Sequence, residues 1–295
     1  MNLAPIALFV YNRLECTQKT VAALKKNLLS KKSNLFIFSD YAKNEDDLKK
    51  VLLVRDFISK IKGFKNIKII YRNQNYGLCK NILSGIDYIF KLYSKIVVLE
   101  DDIVTSRYFL HYMNKNLDIY ELSKKVVSIH GYNYPINKRG LNNFFFILGA
   151  DCWGWSTWKN KWKKYYINNS NYLEKKILKQ DRVKEFNFDN NYNFYKMLTD
   201  NKKIKKSWAI NWYASAFTRN LLTLYPAKTL VKNIGLIGTN NNNSSINFNS
   251  TLDNKFRNFK ILEVEEDLYA KKRMKKFLSK AKFNEYKIKF FSLFK

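Results

Sequence analysis

Acidic residues are scarce in this chain: 24 Asp and Glu stand against 54 Lys and Arg, a formal net charge of +30 over 295 residues. Histidine is scarcer still, with His111 and His130 the only two, which argues against a His-rich metal centre. Cys16, Cys79 and Cys152 are odd in number and widely separated, so neither a disulfide framework nor a zinc knuckle is expected. No apolar run approaches the roughly 20 residues that a bilayer crossing needs. Residues 1–11 lack the basic start and longer apolar stretch of a secretory leader, so the expected compartment is the cytoplasm. Neither Gly-x-Gly-x-x-Gly nor Gly-x-x-x-x-Gly-Lys occurs, which disfavours dinucleotide enzymes and P-loop NTPases.

What is present describes a globular protein, with 46% hydrophobic and 16% aromatic residues. The basic excess is carried by lysine, since nine of the 54 basic residues are Arg. Base readout favours the bidentate guanidinium, so nucleic acid is the lesser reading of the charge beside an anionic membrane surface or a biased composition.

Residues 5–11 read as a buried strand and 34–39 and 67–71 as a second and third strand, with residues 17–29, 46–61 and 78–93 as the helices between and after them. The apolar run Ile-Val-Val-Leu that follows, at 96–99, reads as a fourth strand. This alternation predicts an α/β fold with a mostly parallel central sheet, flanked by helices and joined by right-handed crossovers. The second half is less regular. Helices are expected at 107–122, 157–165, 192–199 and 208–220, and strands at 126–129, 144–148, 222–225 and 230–234. Residues 238–245 are an Asn- and Ser-rich loop. We read residues 1–264 as one domain, with a ligand-binding half to 105 and a second half from 106, and residues 265–295 as a basic appendage. Met274, Phe277, Leu278 and Ala281 fall at helical spacing among lysines. Two readings follow: an amphipathic helix for an anionic membrane face, or a surface helix packing back on the core.

The fourth strand ends in three consecutive acids, Glu100, Asp101 and Asp102, in a chain otherwise poor in them. Open α/β sheets bind ligands beyond the carboxyl ends of their strands, and hard carboxylate oxygens suit Mg²⁺ or Mn²⁺ with substrate phosphates. A solvated acidic turn is the plain alternative. Arg13, Asp40 and Lys80 fall on the same sheet edge, where the cations can hold phosphate and Asp40 can accept hydrogen bonds from a base or ribose.

Together, Val-Tyr-Asn-Arg at 10–13, Phe-Ser-Asp at 38–40, Arg-Asn-Gln-Asn-Tyr-Gly-Leu at 72–78 with Asn81, Val-Leu-Glu-Asp-Asp at 98–102 and Trp-Gly-Trp at 153–155 resemble nucleotide-sugar glycosyltransferases of the GT-A fold. The pattern is similar to bacterial family 2-like transferases and, more remotely, to the N-acetylglucosaminyltransferase I family. The resemblance implies that Asp102 binds Mn²⁺ or Mg²⁺, with Glu100 and Asp101 near the donor ribose and the metal's waters. It maps Arg13 and Asp40 to donor-nucleotide contacts with Lys80 close by, and Trp153, Gly154 and Trp155 to the sugar and acceptor pocket, which Trp208 could also line. It implies a UDP-sugar or similar donor and a surface glycan or lipid-linked saccharide as acceptor. Relatives often carry an acid within a Trp-x-x-x-Trp segment, whereas Trp-Ala-Ile-Asn-Trp at 208–212 has none. Asp151 is the leading substitute base and Asp200 the second. Competing readings are a non-catalytic basic protein for membrane or nucleic acid, and a sugar nucleotidyltransferase.

Overall fold

The computed structural model describes residues 3–235, 248 and 250–292, and from 283 onward only the backbone. The Asn- and Ser-rich loop expected at 238–245 lies outside the described residues. In chain order the elements are β1 (Ile6–Val10), α1 (Leu14–Lys25), β2 (Asn34–Ser39), α2 (Glu45–Ser59), β3 (Asn66–Tyr71), α3 (Gly77–Leu92), β4 (Lys95–Glu100), β5 (Ile103–Thr105) and α4 (Phe109–Ile119). There follow β6 (Val126–His130), β7 (Phe144–Leu148), β8 (Trp155–Trp158), α5 (Lys159–Tyr165), α6 (Ser170–Lys179), α7 (Val183–Phe186), α8 (Phe194–Ile204) and α9 (Trp208–Phe217). The chain continues through β9 (Leu222–Pro226), β10 (Val231–Asn233) and α10 (Leu268–Ser292).

Eight strands form one sheet in the order β3-β2-β1-β4-β8-β6-β9-β7, and β5 pairs with β10 apart from it. The β1–β2, β2–β3 and β1–β4 pairs are parallel, as the helix alternation requires. Beyond β4 the sheet is mixed: β8 runs antiparallel to both β4 and β6, β9 is parallel to β6, and β7 is antiparallel to β9. Six strands therefore point the same way, and the starts of β7 and β8 return to the edge where those six end. Strand β8 departs from the expectation of a helix from 157. Trp155, Ser156, Thr157 and Trp158 are all buried, and the sheet's need for a partner between β4 and β6 overrides a sequence that reads as the lead-in to a lysine-rich helix. Helices α6 and α7 were also not expected; their apolar faces rest on single positions such as Leu173, Ile177 and Phe186 in an otherwise polar stretch.

Alternate residues of β1 serve opposite faces of the sheet. Ile6, Leu8 and Val10 join the core beneath α1, α2 and α4, while Ala7 and Phe9 join the core beneath α3 and α9. The second core holds Trp155 and Trp208, stacked at 5.3 Å, with Trp162 and Trp212 against them. Local chemistry fixes helix starts: Asn44 caps α2 by accepting from the Asp47 amide, and three acids occupy that first turn.

Of the two readings of the C-terminal helix, packing on the core is the one observed. Ala270, Met274, Leu278 and Ala281 are buried, and Phe277 packs on the same cluster. Lys271 is held there by Glu266 at 2.7 Å and Glu185 at 3.5 Å. The positions at helical spacing, Met274, Phe277, Leu278 and Ala281, are thus covered by the protein's own core. Among the described residues no helix is long and apolar enough to cross one.

Candidate functional site

The carboxyl ends of β1, β2 and β4 bring Arg13, Asp40 and the acid triplet to one edge. Arg13 is the hub. Its Nη2 donates to Asp101 Oδ1 and its Nη1 lies 2.9 Å from Asp102 Oδ2, with both acids buried and the arginine half-exposed. Asp101 is fixed further by the Tyr11 amide at 3.4 Å, and its carbonyl accepts from Thr20 Oγ1. Burial works against the charge on Arg13, and the two carboxylates more than offset it, so its pKa rises.

One cation faces three acids, and the imbalance shows in their titration. Burial, then Asp102 and Asp101, push Glu100 up to about 8. Asp101 rises to about 6 because burial and Asp102 outweigh its partner Arg13. Such a cluster lacks positive charge. Among the described residues no group of three His, Cys, Asp or Glu side chains could by itself enclose a metal. Hard oxygens with an unmet demand for a cation, too few to saturate one, are the donor set that Mg²⁺ or Mn²⁺ accepts when phosphates and waters complete its shell.

Asp40 is buried at the end of β2, and its Oδ1 accepts from the amides of Tyr41 at 2.9 Å and Tyr76 at 2.8 Å. It thereby ties the loop after β2 to the turn before α3. Lys80, one helical turn into α3, lies with its ammonium 4.3 Å from the Tyr76 ring centre, and Arg72 flanks the same ring at 4.7 Å. A second surface comes from β10, which pairs with β5 and sends the Ile234 amide to the Asp102 carbonyl at 2.9 Å. Gly235 follows so closely that a Cβ there would lie 2.0 Å from Asp102 Oδ2 and 2.6 Å from Arg13 Nη1.

Asp151 approaches the same edge from the other direction. Because Val98 pairs with Trp155 in an antiparallel register, the residues before Trp155 run back past the end of β4 toward Glu100. The Cys152 thiol records the result: burial, then the charges of Asp151, Glu100 and Asp102, raise its pKa well above the usual range. Asp151 Oδ1 accepts from the Cys152 amide at 2.7 Å and Oδ2 from the Tyr225 hydroxyl at 3.4 Å. Behind it stands His130, wholly buried at the end of β6. Its Nε2 accepts from the Trp153 amide at 3.2 Å, so a neutral ring carries its proton on Nδ1, which faces Asp151 Oδ2 at 3.8 Å with no hydrogen-bond partner of its own. Burial lowers the His130 pKa despite Asp151.

The aromatic residues divide. Trp153 is partly buried and meets Tyr132 edge-on at 4.7 Å. Gly154 adopts φ +64° and its carbonyl accepts from Gly131, which fixes the turn into β8. Trp155 and Trp208 are buried against each other, and neither offers a face to a ligand. Asp200 lies on α8 as an exposed partner of Lys196 at 2.9 Å, engaged there and not with the acid triplet. His130, Tyr225 and Gly235 were not foreseen; the one available signal was a rare histidine at the end of a predicted strand.

No protein-family model matches the sequence, and no curated protein matches it. Solved structures with a partial likeness include a mannosyltransferase from Pyrobaculum calidifontis in complex with GDP-Man and Mn²⁺, at 10% identity and TM-score 0.30. S. aureus TarS 1–349 is another, at 11% identity and TM-score 0.34. The overlaps cover 47% and 54% of this chain, which spans 39% and 48% of theirs. At this level the likeness carries no residue correspondence.

Proposed function

We propose that this protein is a metal-dependent, inverting glycosyltransferase of the GT-A type, moving a sugar from a nucleotide sugar, UDP-linked by resemblance, to a saccharide acceptor such as a surface glycan or a lipid-linked chain. The observation that carries the reading is the meeting, on one sheet edge, of a buried acid cluster short of positive charge with Asp151 and its buried histidine. Asp102, with Asp101 and Glu100 beside it, would hold Mn²⁺ or Mg²⁺. Bound there, the ion supplies charge to offset the leaving diphosphate.

Arg13 keeps Asp101 and Asp102 oriented and lends its own charge toward the phosphates. Asp40 and Lys80, around the Tyr76 turn, form the nucleotide end. Asp151 takes the proton of the acceptor hydroxyl as the new bond from that oxygen to the anomeric carbon forms and the bond to the diphosphate breaks, its electron pair leaving with the nucleotide. His130 positions Asp151 from behind, and Trp153 with Gly154 shapes the sugar side. The buried apolar face of α10 weighs against the alternative of a basic membrane-binding protein.

Thermal unfolding in the presence of UDP-N-acetylglucosamine, UDP-glucose or GDP-mannose, each with and without Mn²⁺, tests the reading. At a hundredfold excess over Kd, a bound donor adds about 2.7 kcal/mol of stability. For a chain of this size that corresponds to a rise on the order of 5 °C. The rise is expected only when one sugar nucleotide and the metal are both present. Flat melting curves for every pair would remove the proposal.

Gly235→Ala offers a second check. The added methyl overlaps Asp102 Oδ2, so it should drive Asp102 and Arg13 apart and weaken metal-dependent donor binding by about tenfold or more, while the sheet beneath keeps its stability within about 1 kcal/mol. Unchanged donor affinity in this variant would show that the Asp102–Arg13 geometry is not needed for binding.

A further inference from the structure

A cavity of about 170 Å³ lies on the same sheet edge, where β9 ends at Pro226 and the chain enters β7 through Asn143 and Phe144. None of the acid triplet lines it. Its floor is aromatic: Tyr112 meets Phe144 at 5.3 Å, and Phe144 stacks on Phe259 at 5.4 Å. His111 stands between Phe259 at 5.2 Å and the half-exposed ring of Phe256 at 5.3 Å.

The rim is cationic. In a chain this rich in lysine the presence of lysines proves little; the imbalance in the lining is more telling, with Lys138, Lys228, Lys255 and Arg257 around one acid. Asp253 is the one carboxylate of the lining, and Arg257 already occupies both of its oxygens, at 2.8 and 3.3 Å. Lys138 is half-buried in the wall, with Lys228 close enough to repel its charge and Asp253 close enough to attract it. Burial and that repulsion hold the Lys138 pKa below its usual range. Two ammonium groups kept together, with only an acid that Arg257 already occupies to offset them, over a wall of ring faces, match a ligand with one anionic group and one ring of modest polarity.

We propose that this cavity binds an anionic saccharide, its ring against Phe256 and His111 and its phosphate or carboxylate between Lys138 and Lys228. Under the transferase reading, on which this role rests, the ligand is part of the acceptor. Three strands, β4, β8 and β6, separate β1, which leads to Arg13, from the β9 and β7 ends that frame the cavity; His130 at the end of β6 and Asp151 on the turn before β8 lie between. An acceptor chain seated in the cavity would extend along the edge toward Asp151.

The two histidines make the test direct, because His111 lines the cavity and His130 does not. Protein labelled with ¹³C-histidine is titrated separately, without donor or metal, with glucose 6-phosphate, glucuronate, inorganic phosphate and glucose. A charged sugar should move the His111 signal saturably, with Kd on the order of 1 mM, leave His130 in place and weaken with salt. Glucose should do nothing, and inorganic phosphate should bind about tenfold more weakly for want of the ring. The double variant Lys138→Met, Lys228→Met should lose at least about tenfold in affinity, and Phe256→Ala should lose ring discrimination, with an unmoved His130 signal reporting that each is folded. The proposal is overturned if no charged sugar shifts His111, if the shift survives the double variant, or if inorganic phosphate binds as tightly as glucose 6-phosphate. A protein that passes this titration and transfers no sugar keeps the site and loses the transferase reading.

Discussion

Asp102→Asn should lower kcat/KM for sugar transfer by about a thousandfold, near the upper end of what one charge-stabilising group is worth, while leaving the melting temperature unchanged or higher. The two halves of that expectation come from the same crowding. Asn preserves the shape that Gly235 packs against but removes a negative charge that crowds the other two acids. Glu100 and Asp101, both pushed up by burial and by Asp102, would then ionise more easily, and Arg13 would keep its bond to Asp101. An acid held only for structure behaves in the opposite way, since breaking a buried ion pair costs about 3–5 kcal/mol. Steady-state kinetics with the sugar nucleotide picked out by the melting screen, alongside a melting curve, separates the two. Full activity in the variant would end the case for a metal at this triplet; a large fall in melting temperature would recast Asp102 as scaffold.

The second large effect belongs to Asp151. Asp151→Asn should reduce kcat by about 10²–10⁴, the usual worth of a general base, with donor affinity intact because its partners are Cys152, Tyr225 and His130 and not the groups assigned to the donor. His130→Gln should cost less, about tenfold in kcat, and should also change the response to acid. The buried imidazole has a pKa below its ordinary value of about 6.5, with Asp151, the rings of Tyr132 and Tyr225 and the Trp153 amide as its neighbours. On acidification the unfolded chain therefore takes up this proton before the folded one does. The stability tied to His130 is fully present above about pH 6.5 and drains away below it. Chemical denaturation at pH 7.5 and pH 5 should show a smaller acid-side loss in His130→Gln than in the parent. Equal losses, together with an unaltered kcat, would leave the histidine as filler.

Much of this arrangement can be read from residues alone, and the boundary of legibility has a physical cause. The parallel half announces itself because β1, β2 and β4 are apolar runs covered on both faces and alternate with helices of regular period, while β3 at the sheet edge is half-exposed. Strand β2 coincides with the expected 34–39, and β4 ends at the acids as expected. Strand β8 escapes because its identity depends on partners far earlier in the chain, Val98 for Trp155 and Ile129 for Ser156, that no local period encodes. The same long-range pairing directs the segment of Asp151 toward the end of β4, so the acid could be named as a base without any means of seeing how it is held. Amphipathic spacing in α10 showed that one face seeks cover, and only the fold identifies the cover as Phe146 and its neighbours rather than lipid. Tryptophan misleads for a related reason: a large ring suits a sugar pocket and a core equally, and Trp155 and Trp208 take the core.

That last arrangement has an optical consequence. Five of the six indoles, at 155, 158, 162, 208 and 212, are shielded from water, and four of them lie within a few ångströms of one another in a single cluster. Their emission reports whether the interior is intact and is blind to what arrives at the edge. Trp153 alone stands where an incoming molecule can quench it, so the protein carries a built-in fluorophore for occupancy beside another for folding.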